Sequence, residues 1–487
     1  MRDLFLTLFI FGMLPNAFLQ PQVGLYLWTW ISYMNPHRLT WSYAYSFRFN
    51  LFVALVTILG IIYSWGKTSK IPRFFPVYLM GLFFVWTTIT SFYAFSPGNA
   101  WKEWEQFLKI YLMIIATFLL VDSRKSLSIL MVIITFSIGF FGVKGGIFTI
   151  TTGGRFHIVG PSESFFSDNN TFALAEIMVF PLFLFLRSQA KHWLLRFSFL
   201  VMTFLAVLSV VGSYSRGGLV GLAVVIIYFW LRTPGKIKIT VILALVLPVI
   251  ATSMPEKWQN RMYVLAEEIE IPVQIKELLE VRSVFDQRND PFPLDAKKEE
   301  VPEGETSELM EDLSVQGRFE AWTFAWNLVQ DRPIVGGGFR MFRQDAFDIY
   351  HPGVRRRDAH SIYFEVMGEQ GFVGLVLWLM LHISAFRVRG RIMKLTKNLP
   401  ELNWAYELAR YIGIGMMGYY AAGAFLGLAY FDLPFHYISI LVILQVLVEK
   451  ELSKNEPPKK RGRFPHIPKK IREAIPAEPS APVAPPG

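Results

Sequence analysis

In the stretch RRRDAHSIYFEVMGEQGFVG, residues 355–374, three arginines, an aspartate and a histidine stand directly before an apolar run. His360 is the group whose ordinary pKa, ~6.5, allows proton exchange near neutrality, which makes it the candidate general base. Asp358 or Glu365 is placed to orient its imidazole, and Arg355, Arg356 and Arg357 bring guanidinium groups whose planar fork suits phosphate oxygens. A histidine at such a boundary is often merely solvated; the acids and arginines around it favour chemistry. Asp358 or Ala359 reads as the helix start. Gly368, Gly371 and Gly374, three apart, let the helix that follows pack closely on a neighbour.

Two further arginine motifs precede this one. In SYSRGG, residues 213–218, Arg216 stands at the mouth of an apolar span, and Gly217 with Gly221 forms a spacing that favours tight helix contact. Arg216 is either an anion clamp or an arginine snorkelling from a helix end. In QGRFEAWTFAWNLVQD, Arg318 falls in the first turn of an expected helix, where the dipole disfavours a cation. That calls for an anion, either a ligand or a local acid such as Glu320. Phe319, Trp322, Trp326 and Val329 recur at helical spacing as one packed face, and Asp331, Pro333 and three glycines end the helix. A weaker group, GGRFHIVGPSESFFSDNN, offers Arg155, His157 and Asp168. A metal-dependent site is disfavoured: there is no Asp-x-Asp pair and no histidine pair at helix-face spacing beside a carboxylate. Without cysteine there is no disulfide, thiolate metal site or Cys nucleophile.

The elements that must hold these groups are membrane helices. Of 487 residues, 53% are hydrophobic and 16% aromatic, and mean hydropathy is +0.37, too apolar for a soluble chain of this length. The net charge of +10 sits in short clusters between apolar runs, which fits bilayer topology and not nucleic acid. Lys67, Lys70 and Arg73, then Arg124 with Lys125, Arg187 to Arg196, Arg232 to Lys238, and Arg387 to Lys397 mark the cytoplasmic turns. The expected fold is all-α, a polytopic integral membrane protein of about twelve spans with one large helical outer loop. Residues 1–253 hold about ten helices, 254–360 the loop domain, 361–450 two helices, and 451–487 a basic, Pro-rich, disordered tail. Residues 4–34 are expected to cross a net odd number of times, with both termini cytoplasmic. The acidic stretch 256–312 is a candidate lid.

These motifs resemble those of the O-antigen ligases, with the related O-antigen polymerases and bacterial protein O-oligosaccharyltransferases. The resemblance covers about residues 200–385. It rests on Ser213 to Gly218, on Gly317, Arg318 and Trp322, and on His360, Ser361, Gly371 and Gly374; Val220 stands where some ligases have leucine. It implies a metal-independent, inverting transfer of a whole glycan from undecaprenyl diphosphate to lipid A-core, at the periplasmic face of a bacterial inner membrane. His360 would then be the base and Arg216 and Arg318 the diphosphate clamps, with Asp358, Glu365, Arg155 and Arg357 in support and no cofactor. A polymerase or protein glycosyltransferase would share the donor. A lipid-linked glycan flippase is the alternative of another class, but it would place its charges near the midplane on interrupted helices.

Overall fold

The computed structural model describes residues 1–232, 236–256, 258–259 and 303–455. The candidate lid, apart from its ends, and the tail after Asn455 lie outside them. The described residues are helical, with no strand among them. In chain order the α-helices are α1 (Arg2–Leu19), α2 (Pro21–Met34), α3 (Phe49–Tyr63), α4 (Phe75–Phe92), α5 (Pro97–Leu120), α6 (Arg124–Thr152), α7 (Asn169–Gln189), α8 (Trp193–Gly212), α9 (Arg216–Arg232), α10 (Lys236–Ser253), α11 (Glu303–Asp331), α12 (Gln344–Tyr350), α13 (Ile362–Thr396), α14 (Asn403–Gly423) and α15 (Asp432–Asn455). Among the described residues, 7 helices are long and apolar enough to cross a bilayer. The stretch 361–450 holds three helices, of which α13 and α15 meet that measure. Met1–Val448 forms one compact unit; the described part of the second, from Glu449, continues α15 to Asn455.

Burial follows composition. Helix α7 is apolar nearly all round, and Phe172 through Phe183 are buried without a break, as expected of a helix surrounded by other helices. It packs against α6, α8, α9 and α14. In α15, Leu433 through Leu444 is equally buried.

Helix α5 gives the bundle a direction. Its last turn meets the basic end: Leu119 O accepts from Ser69 N at 2.9 Å, and Leu120 O accepts from Gln22 Nε2 at 2.6 Å. Arg124, just beyond, lies over the Trp404 ring at 4.8 Å. Its first turns, with Asn99, Lys102 and Glu103, line a cavity at the opposite end. Helices α1 and α2 correct one expectation. They form a hairpin turned at Gln20, with Phe9 against Trp30 at 5.8 Å, and Pro15 lies inside α1 without breaking it. Asp3 Oδ1 accepts from the backbone N–H groups of Ser42 and Ala44. Arg38, in the same segment, pairs with the cavity residue Glu163 at 2.5 Å. Residues 4–34 therefore return to the end they left. The start of α1 thus lies at the cavity end and not at the expected basic end.

Helix α13 bends at Gly371, which has φ +68° and ψ −176°. The bend frees carbonyls that need donors in an apolar setting. Gly337 N–H donates to Gly368 O, Gly338 N–H to Glu369 O, and the Trp86 indole to Gln370 O, at 2.8, 2.8 and 2.9 Å. Phe372 N–H donates in turn to Pro333 O at 2.9 Å. A Cβ on Gly371 would stand 2.1 Å from Ile334 O, so glycine is required both by φ and by this contact. The three-residue glycine spacing thus seats the glycine loop after α11, as much backbone on backbone as helix on helix.

Candidate active site

The first turns of α5 and α7, the start of α13, the loop 340–343 and the turn 426–431 enclose a cavity of about 1130 Å³. His360 opens into it from a left-handed backbone, φ +43°, two residues before α13 begins. The helix starts later than Asp358 or Ala359 for a visible reason. Ala359 O accepts from the Trp322 indole at 2.8 Å, and the left-handed residue after it interrupts helical geometry. Trp322 is stacked on Phe364, with ring centroids 4.9 Å apart. Two rings on separate helices therefore set the pose of the histidine.

The cavity carries two groups of charge. Around His360, desolvation by the walls lowers the imidazole pKa from 6.5; Asp358 and Asp168 oppose this, and Arg318 and Arg357 reinforce it. The imidazole is thus neutral at neutral pH and able to accept a proton. The second group contains Glu103, Arg340, Glu365 and Glu369. Arg340 Nε donates to Glu103 Oε2 at 2.8 Å, and its backbone N–H, at φ +60°, donates to Glu369 Oε1 at 2.8 Å. Glu365 Oε2 accepts from Ala429 N–H at 3.1 Å. Gly427 lies between the groups: a Cβ there would be 3.5 Å from Glu365 Oε2 and 3.8 Å from His360 N.

The expected residues are placed unequally. Asp358 accompanies His360 and lines the cavity. Glu365 lines it too but belongs to the second group, so Asp358 and Asp168 are the acids that act on the imidazole. Arg318 lies within electrostatic range of His360, yet not in a first turn: α11 begins at Glu303, because EGETSELMEDLSVQ continues the helix upstream without a breaker. The dipole argument for its partner therefore fails. The packed face of α11 is also displaced, to Ala321, Phe324, Ala325 and Leu328 with Val329, while Phe319 and Trp326 are about half exposed. Small alanines let this face close against α13, and the larger rings sit at its margin.

Arg216 is buried and lines no part of the cavity. Its neighbour Ser215 caps α9 by accepting from Gly218 N–H at 3.1 Å and donates to Asn170 Oδ1 at 2.7 Å, which ties the start of α9 to the first turn of α7 at the cavity. Gly217 abuts Leu426, three residues before Ala429, whose N–H bonds Glu365. Arg357 contacts Glu320 at 3.8 Å as well as acting on His360. Arg155 is not in the cavity; it borders a separate hollow with Thr151, Gly153, Ser253 and Pro255, and His157 is exposed. Asp168 is in the cavity and caps α7 by accepting from Asn170 and Thr171 N–H. Sequence reading missed Glu103, Arg340, Glu369 and Tyr430. Each belongs to a long-range pairing with no local spacing to announce it.

Fold and site together define a polytopic helical membrane protein with a charged cavity at one end of its bundle. Residues 201–379 match the family model described as O-Antigen ligase, and residues 1–191 match a Family of unknown function (DUF5935). The first of these segments, which holds the SYSRGG, Arg318 and His360 motifs, is thus similar to the O-antigen ligase family, and the match supports a function of the ligase or polymerase type. No curated protein matches the chain.

Proposed function

We propose that this protein is an O-antigen ligase that moves a preassembled glycan from undecaprenyl diphosphate to lipid A-core, at the periplasmic face of a bacterial inner membrane. The observation that carries the reading is the neutral, cavity-facing imidazole of His360 beside Arg318 and Arg357. In the step, an acceptor hydroxyl oxygen attacks the anomeric carbon and its proton passes to His360. The bond from that carbon to the phosphate oxygen breaks, and its electron pair leaves on the diphosphate. Direct displacement inverts the anomeric carbon. Arg318 supplies positive charge to the departing diphosphate, and Arg216, at the start of α9, is the second clamp. No ATP is required, since the donor bond is already activated. Asp358 and Asp168 stabilise the imidazolium as it forms.

The outward placement of the cavity is supported by the basic turns gathered at the other end of the bundle. An O-antigen polymerase or a protein O-oligosaccharyltransferase would use the same donor and the same His360 chemistry with another acceptor. Purified protein given lipid-linked glycan and lipid A-core should yield a ladder of larger product, and His360→Ala should yield none. Undiminished product from His360→Ala would overturn the reading. Product made only on a peptide, or only on a second lipid-linked glycan, would replace the ligase with one of its two relatives.

A further inference from the structure

The second charged group has features that the transfer step does not use. Glu369 and Tyr430 both line the cavity, and they are 5% and 8% exposed. Glu369 Oε2, the Tyr430 hydroxyl and Gln370 Nε2 are buried polar atoms that make no hydrogen bond among the described residues. They are also near neighbours: the Tyr430 hydroxyl lies within interaction range of both the Glu369 and the Gln370 side chains. The other halves of two of these side chains are committed. Glu369 Oε1 holds the Arg340 N–H at 2.8 Å, and Gln370 Oε1 accepts from Thr90 Oγ1 at 2.5 Å. Buried polar atoms cost free energy unless paired, and three together at a cavity wall point to a missing partner.

The chemistry of that partner is restricted. Facing a carboxyl oxygen, a phenol and an amide N–H, it must be able both to donate and to accept, which a hydroxyl does at once. Glu103, Glu365 and Glu369 crowd this wall with carboxyl groups, and Arg340 already bonds two of them, Glu103 through its guanidinium and Glu369 through its backbone N–H. Phe165 and Phe431, paired at 6.2 Å, add flat apolar surface at the cavity rim. Planar carboxylate, amide and guanidinium groups beside aromatic rings are the groups that recognise a ring bearing several hydroxyls. None of the charges acting on His360 belongs to this set.

We propose that the wall built from Glu369, Tyr430 and Glu103, with Gln370 behind it, is a sugar-hydroxyl subsite, distinct from a diphosphate end at His360. This rests on the transfer reading for its biological ligand, a sugar of either the donor or the acceptor, but not for its chemistry.

The test uses the full chain in lipid nanodiscs, with methyl hexopyranosides and methyl heptopyranosides as probes read by saturation-transfer NMR. The wild type should bind at least one probe. Tyr430→Phe and Glu369→Gln should weaken that binding by about 10-fold or more. Tyr430→Phe removes a buried unpaired hydroxyl and keeps the ring against Phe107 and Phe339, so its unfolding midpoint should be unchanged or raised. Equal binding by wild type and variants, or no binding of any probe, overturns the subsite and leaves a buried water as the occupant. In transfer assays, a raised KM for the lipid-linked glycan alone assigns the sugar to the donor, and a raised KM for lipid A-core alone assigns it to the acceptor. Normal transfer with wild-type KM values in Tyr430→Phe sinks the subsite and leaves the transfer reading standing. A wild type that transfers nothing, yet binds probe through Tyr430, does the reverse.

Discussion

His360 and His436 are the same residue put to opposite uses. The His436 ring is fully buried in α15, with Nδ1 3.1 Å from the Tyr33 hydroxyl and Nε2 3.1 Å from Thr117 Oγ1, and it is stacked on Tyr33 at 6.1 Å. Both nitrogens are occupied, so the ring ties α2 and α5 to α15 and has none left for a ligand. Among the described residues His360 has neither nitrogen held by a hydrogen bond, and it sits on a left-handed backbone and faces a cavity. What separates a structural histidine from a reactive one here is therefore both depth and the occupancy of its nitrogens: His436 is sealed in the core and His360 is open to the cavity.

Substitution should separate the two. His360→Ala is expected to lower the transfer rate by ~10²- to 10⁴-fold, the usual loss for a general base. Its thermal unfolding should be nearly that of the wild type; loss of fold in step with loss of rate would erase the contrast. For His436→Ala the expectation is a destabilisation of about 2–3 kcal/mol, from a cavity and two abandoned hydroxyls, measured by unfolding in detergent. Turnover per folded molecule should stay close to wild type, and a large drop there would make His436 part of the chemistry. Trp322→Phe removes the donor to Ala359 O while keeping the stack on Phe364, and should cost about 1 kcal/mol together with a lower kcat at unchanged donor KM. A KM effect alone would mean that Trp322 contacts substrate and does not position His360.

The smallest effect expected is in pH dependence. With its pKa lowered from 6.5, the folded His360 holds fewer protons than the unfolded chain does just below 6.5, so stability falls slightly as pH drops through that window. The imidazole stays neutral above its folded pKa. Transfer should accordingly be flat near neutrality and decline in acid with a midpoint below 6.5. A midpoint at or above 6.5, absent in no variant but His360→Ala, would show that the protonated ring is what the substrate meets.

Much of the helical frame was readable, because long apolar runs such as 170–187, 193–212 and 236–253 leave a bilayer-spanning chain little alternative to helix. The His360 motif was readable for a similar reason: its residue types are costly at a membrane boundary. Three things were not. Whether Pro15 or Gln20 turned the N-terminal segment depended on packing between α1, α2 and α3, and proline alone does not decide it. The upstream reach of α11 depended on Glu-rich sequence that reads equally as loop or helix. The partners of Arg340 and Tyr430 come from α5 and α13, from 29 to 237 residues away for Arg340, and no period or spacing encodes them.

The bend at Gly371 has a mechanical corollary. With three carbonyls of the outer segment anchored by Gly337, Gly338 and Trp86, the piece from Ile362 to Gln370 acts as a short lever on a fixed fulcrum, carrying His360 at one tip and Glu369 near the pivot. Any tilt would swing the imidazole widely while scarcely moving the carboxylate. A single residue inserted between Ile362 and Gln370 would rotate the tip by about 100° and should silence the protein without unfolding it.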